Sequence, residues 1–107
     1  MIEVIITEQP SGRISSFEMK GHADFAEHGK DLVCAGASAV SFGSVNAIIA
    51  LTGITPEIKQ GSDGGYIKVD FPVTEKDADI QLIVRAMIVS LQTIEQDYGN
   101  HIQITFK

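Results

Sequence analysis

Apolar and polar residues alternate at the start of the chain. Ile2, Val4 and Ile6 share one side of an extended segment over residues 2–7, and this period of two predicts a strand. Pro10-Ser11-Gly12 supplies turn chemistry, and residues 13–21 return with Phe17 and Met19 on one side, so the pair reads as a hairpin. The same signal recurs where residues 57–60 and 66–71 flank Gly61-Ser62-Asp63-Gly64-Gly65, with Ile67, Val69 and Phe71 turned inward. Ile102, Ile104 and Phe106 repeat the alternation at the end and predict a fifth strand.

Two stretches carry helical spacing instead. Ile80, Ile83, Val84, Met87, Leu91, Ile94 and Tyr98 form one stripe, with Thr74 and Asp77 as a capping start and Gly99-Asn100 as a stop. The other helix is expected to begin within residues 31–34 and run to about Gly53, with Ala35, Ala39, Phe42, Asn46, Ile49 and Ala50 roughly along one side, where small residues permit close packing. The order ββαββαβ predicts an α+β fold: a two-layer sandwich of a mostly antiparallel sheet and two helices, forming a single domain over residues 1–107. Strand order is not readable from this pattern.

Composition narrows the setting. With 44% apolar and 21% charged residues, the chain resembles an ordinary globular protein. Its longest unbroken apolar run, Ala47 to Leu51, is far below the ~18 residues of a membrane span. No basic start or apolar export block is visible, so a cytoplasmic location is expected. Eight basic against fourteen acidic side chains give 8 − 14 = −6, a balance that repels nucleic-acid backbones.

One segment differs from the rest. Residues 21–34, between the second strand and the first helix, hold two of the three histidines and three acids, and show no hydrophobic period. A polar loop that delivers reactive groups to a rigid helix end is a recurrent layout for sites, and Gly21 and Gly29 are placed to act as hinges. The single cysteine, Cys34, falls in the first helical turn, where unpaired amides and the positive dipole end favour a thiolate. If the loop folds back, His22 meets the sulfur as a general base and acid, a Cys-His dyad. The amides of Cys34, Ala35 and Gly36 are then expected to face a developing oxyanion, and Ser38, one turn on, to position peptide or water.

Each residue also has a plainer reading. A lone helical cysteine is commonly packing, and a loop histidine is commonly solvated. Asp31 reads as a helix cap that can also orient His22. His101, at the start of the last strand, reads as structural or exposed. His22, Asp24, His28 and Cys34 could offer four ligands, but no paired-cysteine or close-histidine spacing supports zinc, so no metal or other cofactor is expected. An absent second cysteine leaves a thiol peroxidase without an internal resolving thiol.

The segment Gly21-His22-Ala23, followed by Gly29, Asp31, Val33-Cys34-Ala35 and Ser38, resembles the signature of the ribosomal-processing cysteine protease (Prp) family, and the likeness runs along essentially the whole chain. The resemblance implies a cytoplasmic bacterial endopeptidase with His22 and Cys34 as its catalytic pair. It implies removal of a short N-terminal extension from a large-subunit ribosomal protein, homodimer formation, and in some bacteria processing of phage structural proteins. An apolar pocket near Cys34, using Phe25, Val45 or Ile48, is expected to read the extension. The alternative is a ribosome-associated binding module in which Cys34 only packs.

Overall fold

The structure is a computed structural model and describes residues 1–27, 30–62 and 64–107. Among these residues, five strands and two helices follow the predicted order: β1 (Ile2–Glu8), β2 (Ile14–Lys20), α1 (Leu32–Thr52), β3 (Glu57–Gln60), β4 (Tyr66–Asp70), α2 (Asp77–Tyr98) and β5 (Ile102–Phe106). The strands form one mixed sheet in the order β3-β4-β2-β1-β5, antiparallel except where β5 runs parallel to β1. Ile2, Val4, Ile6, Phe17, Met19, Ile67, Val69 and Ile102 are buried on its inner face. The other face carries polar side chains such as Glu3, Glu18, Lys20 and Lys68, which gives the sheet one dry side and one wet side.

A bulge at Thr7/Glu8 lets both Ile14 and Phe17, an odd number of residues apart, point into the core. The bulge frees the Ile14 backbone, and the Gln81 side chain on α2 satisfies it, its Oε1 accepting from Ile14 N–H and its Nε2 donating to Ile14 C=O, each at 2.8 Å. Arg13 adds a second tie between β2 and α2, with Nε 3.1 Å from Asp77 Oδ1 and a terminal nitrogen donating to Phe71 C=O at 2.8 Å. At the outer edge, Glu95 accepts from the Ile104 N–H at 2.8 Å and so covers part of β5.

Helix α2 buries Ile80, Val84, Met87, Ile88 and Leu91, close to the predicted stripe. It starts at Asp77 without a side-chain cap of its own, and Thr74 instead closes the preceding turn by accepting from Lys76 N–H. Helix α1 has the predicted bounds but a different buried face: Val33, Ala37, Ser41, Val45 and Ile48 point inward, while Ala35, Ala39, Phe42, Asn46 and Ala50 are exposed. The helix is apolar all round, so its periodicity carries no direction and only its neighbours select the face. By length and mean hydropathy α1 is also capable of crossing a bilayer, which a count of unbroken apolar runs hides because Gly, Ser and Asn interrupt them without adding charge. Here its inner residues belong to the core.

Candidate active site

Asp31 determines where α1 begins. Its backbone is extended, and its Oδ1 accepts from the N–H groups of Val33 and Cys34, each at 3.0 Å. Its Oδ2 accepts from Phe25 N–H at 2.9 Å and Ala26 N–H at 3.3 Å. One carboxylate therefore ties the polar loop to the helix start. Burial alone would raise the Asp31 pKa, but the N–H donors of Cys34, Phe25, Ala26 and Val33 outweigh it and hold the carboxyl below the usual value.

That lowering sets the sign of a pH effect. The folded pKa lies below the unfolded one, so Asp31 stabilises the fold fully above about pH 4 and loses its contribution as pH falls through the lowered folded value. Urea midpoints measured from neutral to acid pH are expected to show a limb that Asp31→Asn flattens. An identical acid limb in the variant would show that the carboxylate does not carry it.

Cys34 is half-buried in the first turn of α1, and its Sγ accepts from the Ala23 N–H at 3.2 Å. The amide aims the positive end of its dipole at the sulfur, the orientation that accommodates negative charge there. The Cys34 N–H is committed to Asp31 Oδ1, and the Ala35 N–H donates to Asp31 C=O at 3.0 Å. The expectation that these two amides face an open oxyanion position is therefore not met: the cap and the first helical bond use them. Gly36 faces α2, where a β-carbon would stand 3.6 Å from Ile94 Cδ1.

A surface cavity of about 210 Å³ is lined by Asp31, Cys34, Ala35 and Ser38, so four of the expected residues converge. Val45 and Ile48 cannot line an apolar subsite, because both are packed in the core. Phe25 is exposed beside the site, its ring edge-on to Tyr98 at 5.4 Å and to His101 at 5.2 Å. Gly21, at φ +90, precedes His22, and a β-carbon there would collide with the Met1 carbonyl oxygen.

His22 is exposed and makes no hydrogen bond with the described residues, so the dyad is not closed in this conformation. It stands one residue before Ala23, whose amide touches the sulfur. The expected hinge Gly29 and the candidate ligand His28 lie outside the described residues. No group of three or more His, Cys, Asp or Glu side chains converges as a metal site among the described residues.

His101 has a larger part than its sequence position suggests. Its Nδ1 lies 2.9 Å from the Ala23 carbonyl oxygen, a contact 78 positions apart that no local pattern could reveal.

Residues 1–103 match the family model described as "Cysteine protease Prp". The chain is 50% identical to the ribosomal processing cysteine protease Prp of Bacillus subtilis (strain 168), with 98% of this chain and 96% of that protein covered. It is 48% identical to an essential ribosomal processing protease Prp from S. aureus, solved in complex with a covalently linked product peptide, with a TM-score of 0.95 and complete coverage of both chains. A second structure of the S. aureus protease, in complex with a substrate peptide, gives 47% identity and a TM-score of 0.87, again with complete coverage of both chains. The open cavity beside a capped, helix-borne cysteine and the match along the whole chain agree: this protein belongs to the Prp family and is a cysteine protease.

Proposed function

We propose that Cys34 is the nucleophile and His22 the proton shuttle of an endopeptidase that removes the short N-terminal extension of a large-subunit ribosomal protein in the bacterial cytoplasm. The observation that carries this reading is the Cys34 sulfur at the edge of an open cavity, held by the Ala23 amide directly after His22. The names of the relatives, which specify ribosomal processing, support the substrate class.

In the first step the Cys34 thiolate attacks the scissile carbonyl carbon, a C–S bond forms and an electron pair moves onto the oxygen. Collapse of the tetrahedral species breaks the C–N bond, and the His22 imidazolium gives its proton to the departing amine. A water then attacks the thioester while His22 accepts its proton. The C–S bond breaks, the carboxylic acid leaves, and the Cys34 thiolate and His22 imidazolium of the first step are restored. This chemistry needs no cofactor. Ala35 and Ser38 line the cavity against the peptide, and Gly21 and Asp31 hold the two ends of the loop that carries His22.

A net charge of −6 steers a basic ribosomal protein toward the enzyme and disfavours direct contact with nucleic acid. Phage structural proteins with a matching extension are a second substrate class in this reading. Pairing into a homodimer is supported by Leu51 and Leu82, exposed on α1 and α2 and lining a shared cavity of about 240 Å³. Sedimentation equilibrium is expected to return twice the chain mass, and the monomer mass would remove that part of the reading.

The test of the function is mass spectrometry of a synthetic peptide that spans the extension and the start of the mature ribosomal protein, incubated with the protein. One cut at a single bond is the expected result. A peptide left intact by the wild-type protein would overturn the proposal.

A further inference from the structure

We propose that His101 is a positioning residue for the reaction: its Nδ1–H holds the Ala23 carbonyl and thereby keeps the Ala23 amide, directly after His22 in the chain, on the Cys34 sulfur. This inference deepens the proposed Cys34–His22 mechanism and rests on it.

Ala23 is held at three points. The residue is 1% exposed and packs in the core, its N–H donates to Cys34 Sγ at 3.2 Å, and its carbonyl meets His101 Nδ1 at 2.9 Å. A carbonyl oxygen can only accept, so Nδ1 must carry the proton. The platform beneath the imidazole is rigid. His101 N–H donates to Tyr98 C=O at 2.8 Å, and His101 C=O accepts from Ile2 N–H at 2.8 Å, which fixes the residue between the end of α2 and the start of β1. Phe25 closes over the imidazole edge-on and contacts Tyr98 in the same way, so the ring has a packed neighbour as well as a bonded one. The loop is thus clamped by His101 at Ala23 and by Asp31 at Phe25 and Ala26. His22 lies just outside the first clamp. Catalysis by a dyad depends on geometry of this order, since misplacing a reacting group by about 1 Å costs ~10²-fold in rate.

Two measurements test the proposal. In the wild-type protein, ¹⁵N NMR of the imidazole is expected to show His101 as the Nδ1–H tautomer, whereas an Nε2–H tautomer with a bare Nδ1 would overturn the inference without any variant. In peptide cleavage, His101→Leu is expected to lower kcat by about ten-fold with little change in KM, and His101→Asn, whose amide places an N–H near the Nδ1 position, to recover most of the loss.

A purely structural role would lower the melting temperature in both variants but leave kcat per folded molecule at the wild-type value. That outcome, or equal rates for the Asn and Leu variants, would also overturn the proposal. Should the Leu variant fail to fold, the tautomer and the Asn variant decide. Cleavage that survived Cys34→Ala would instead bring down the dyad assignment, a result distinct from any His101 outcome.

Discussion

Cys34→Ala protein is expected to keep its fold and lose its protease activity, with the initial rate of peptide cleavage lower by on the order of 10⁵-fold or more. No other cysteine exists in the chain to replace the nucleophile. The side chain is half-buried, and its sulfur receives one hydrogen bond from the described residues, so truncation removes a modest packing contact and one weak bond, about 1 kcal/mol in all. The activity loss cannot therefore be explained by unfolding.

His22→Ala is expected to slow cleavage by roughly 10² to 10⁴-fold, the usual contribution of a general acid–base group. The two residues act on one proton, so the double variant should be no slower than Cys34→Ala alone. Losses that multiplied fully in the double variant would show that His22 and Cys34 do not work as a unit. Cleavage that persisted without the sulfur would remove it from the nucleophile's role. His22 is exposed and makes no hydrogen bond with the described residues, so His22→Ala should leave the melting temperature near the wild-type value, which separates chemistry from stability.

Gly21→Ala is expected to be the most damaging single substitution outside the dyad. The residue has φ +90, where an L side chain is strained, and the added β-carbon would run into the Met1 carbonyl oxygen. Neither side can move freely. Gly21 N–H donates to Gly65 C=O at 3.0 Å, and the neighbouring Ile2 N–H is bonded to His101 C=O at 2.8 Å. Strain and collision together should cost about 2–4 kcal/mol in urea unfolding. They should also lower kcat, because the displaced backbone leads directly into His22.

Gly12→Ala is the matched control. It has the same φ of +90, but its β-carbon would meet only the Arg85 side chain at 3.9 Å, in a turn outside the active site. That variant should show the dihedral strain alone, about 1–2 kcal/mol, with cleavage unchanged. Equal destabilisation in the two variants would mean that the Met1 contact is not the cause.

The core of α2 and the strand residues of β1, β4 and β5 were legible because their apolar residues repeat at the period of the element. The tight grouping of Asp31 and Cys34 was legible for the same kind of reason: a cap and its N3 residue are neighbours along the chain. Helix α1 shows where this reasoning stops. It is apolar on every side, so the sequence could place its ends but not its buried face, and the expected face is the exposed one. The oxyanion position expected at the Cys34 amide is closed for a related reason, since the cap that predicts the helix also consumes the Cys34 N–H.

By itself, the sequence determined the element types, their order and bounds, and the cap of Asp31 at the start of the first helix, all of which depend on residues within a turn or a strand of one another. Only the tertiary structure decided the parallel pairing of β5 with β1, the inward face of α1 and the clamp of His101 on Ala23. These are contacts between residues far apart in the chain, selected by which surfaces bury best together, and no local period records that choice.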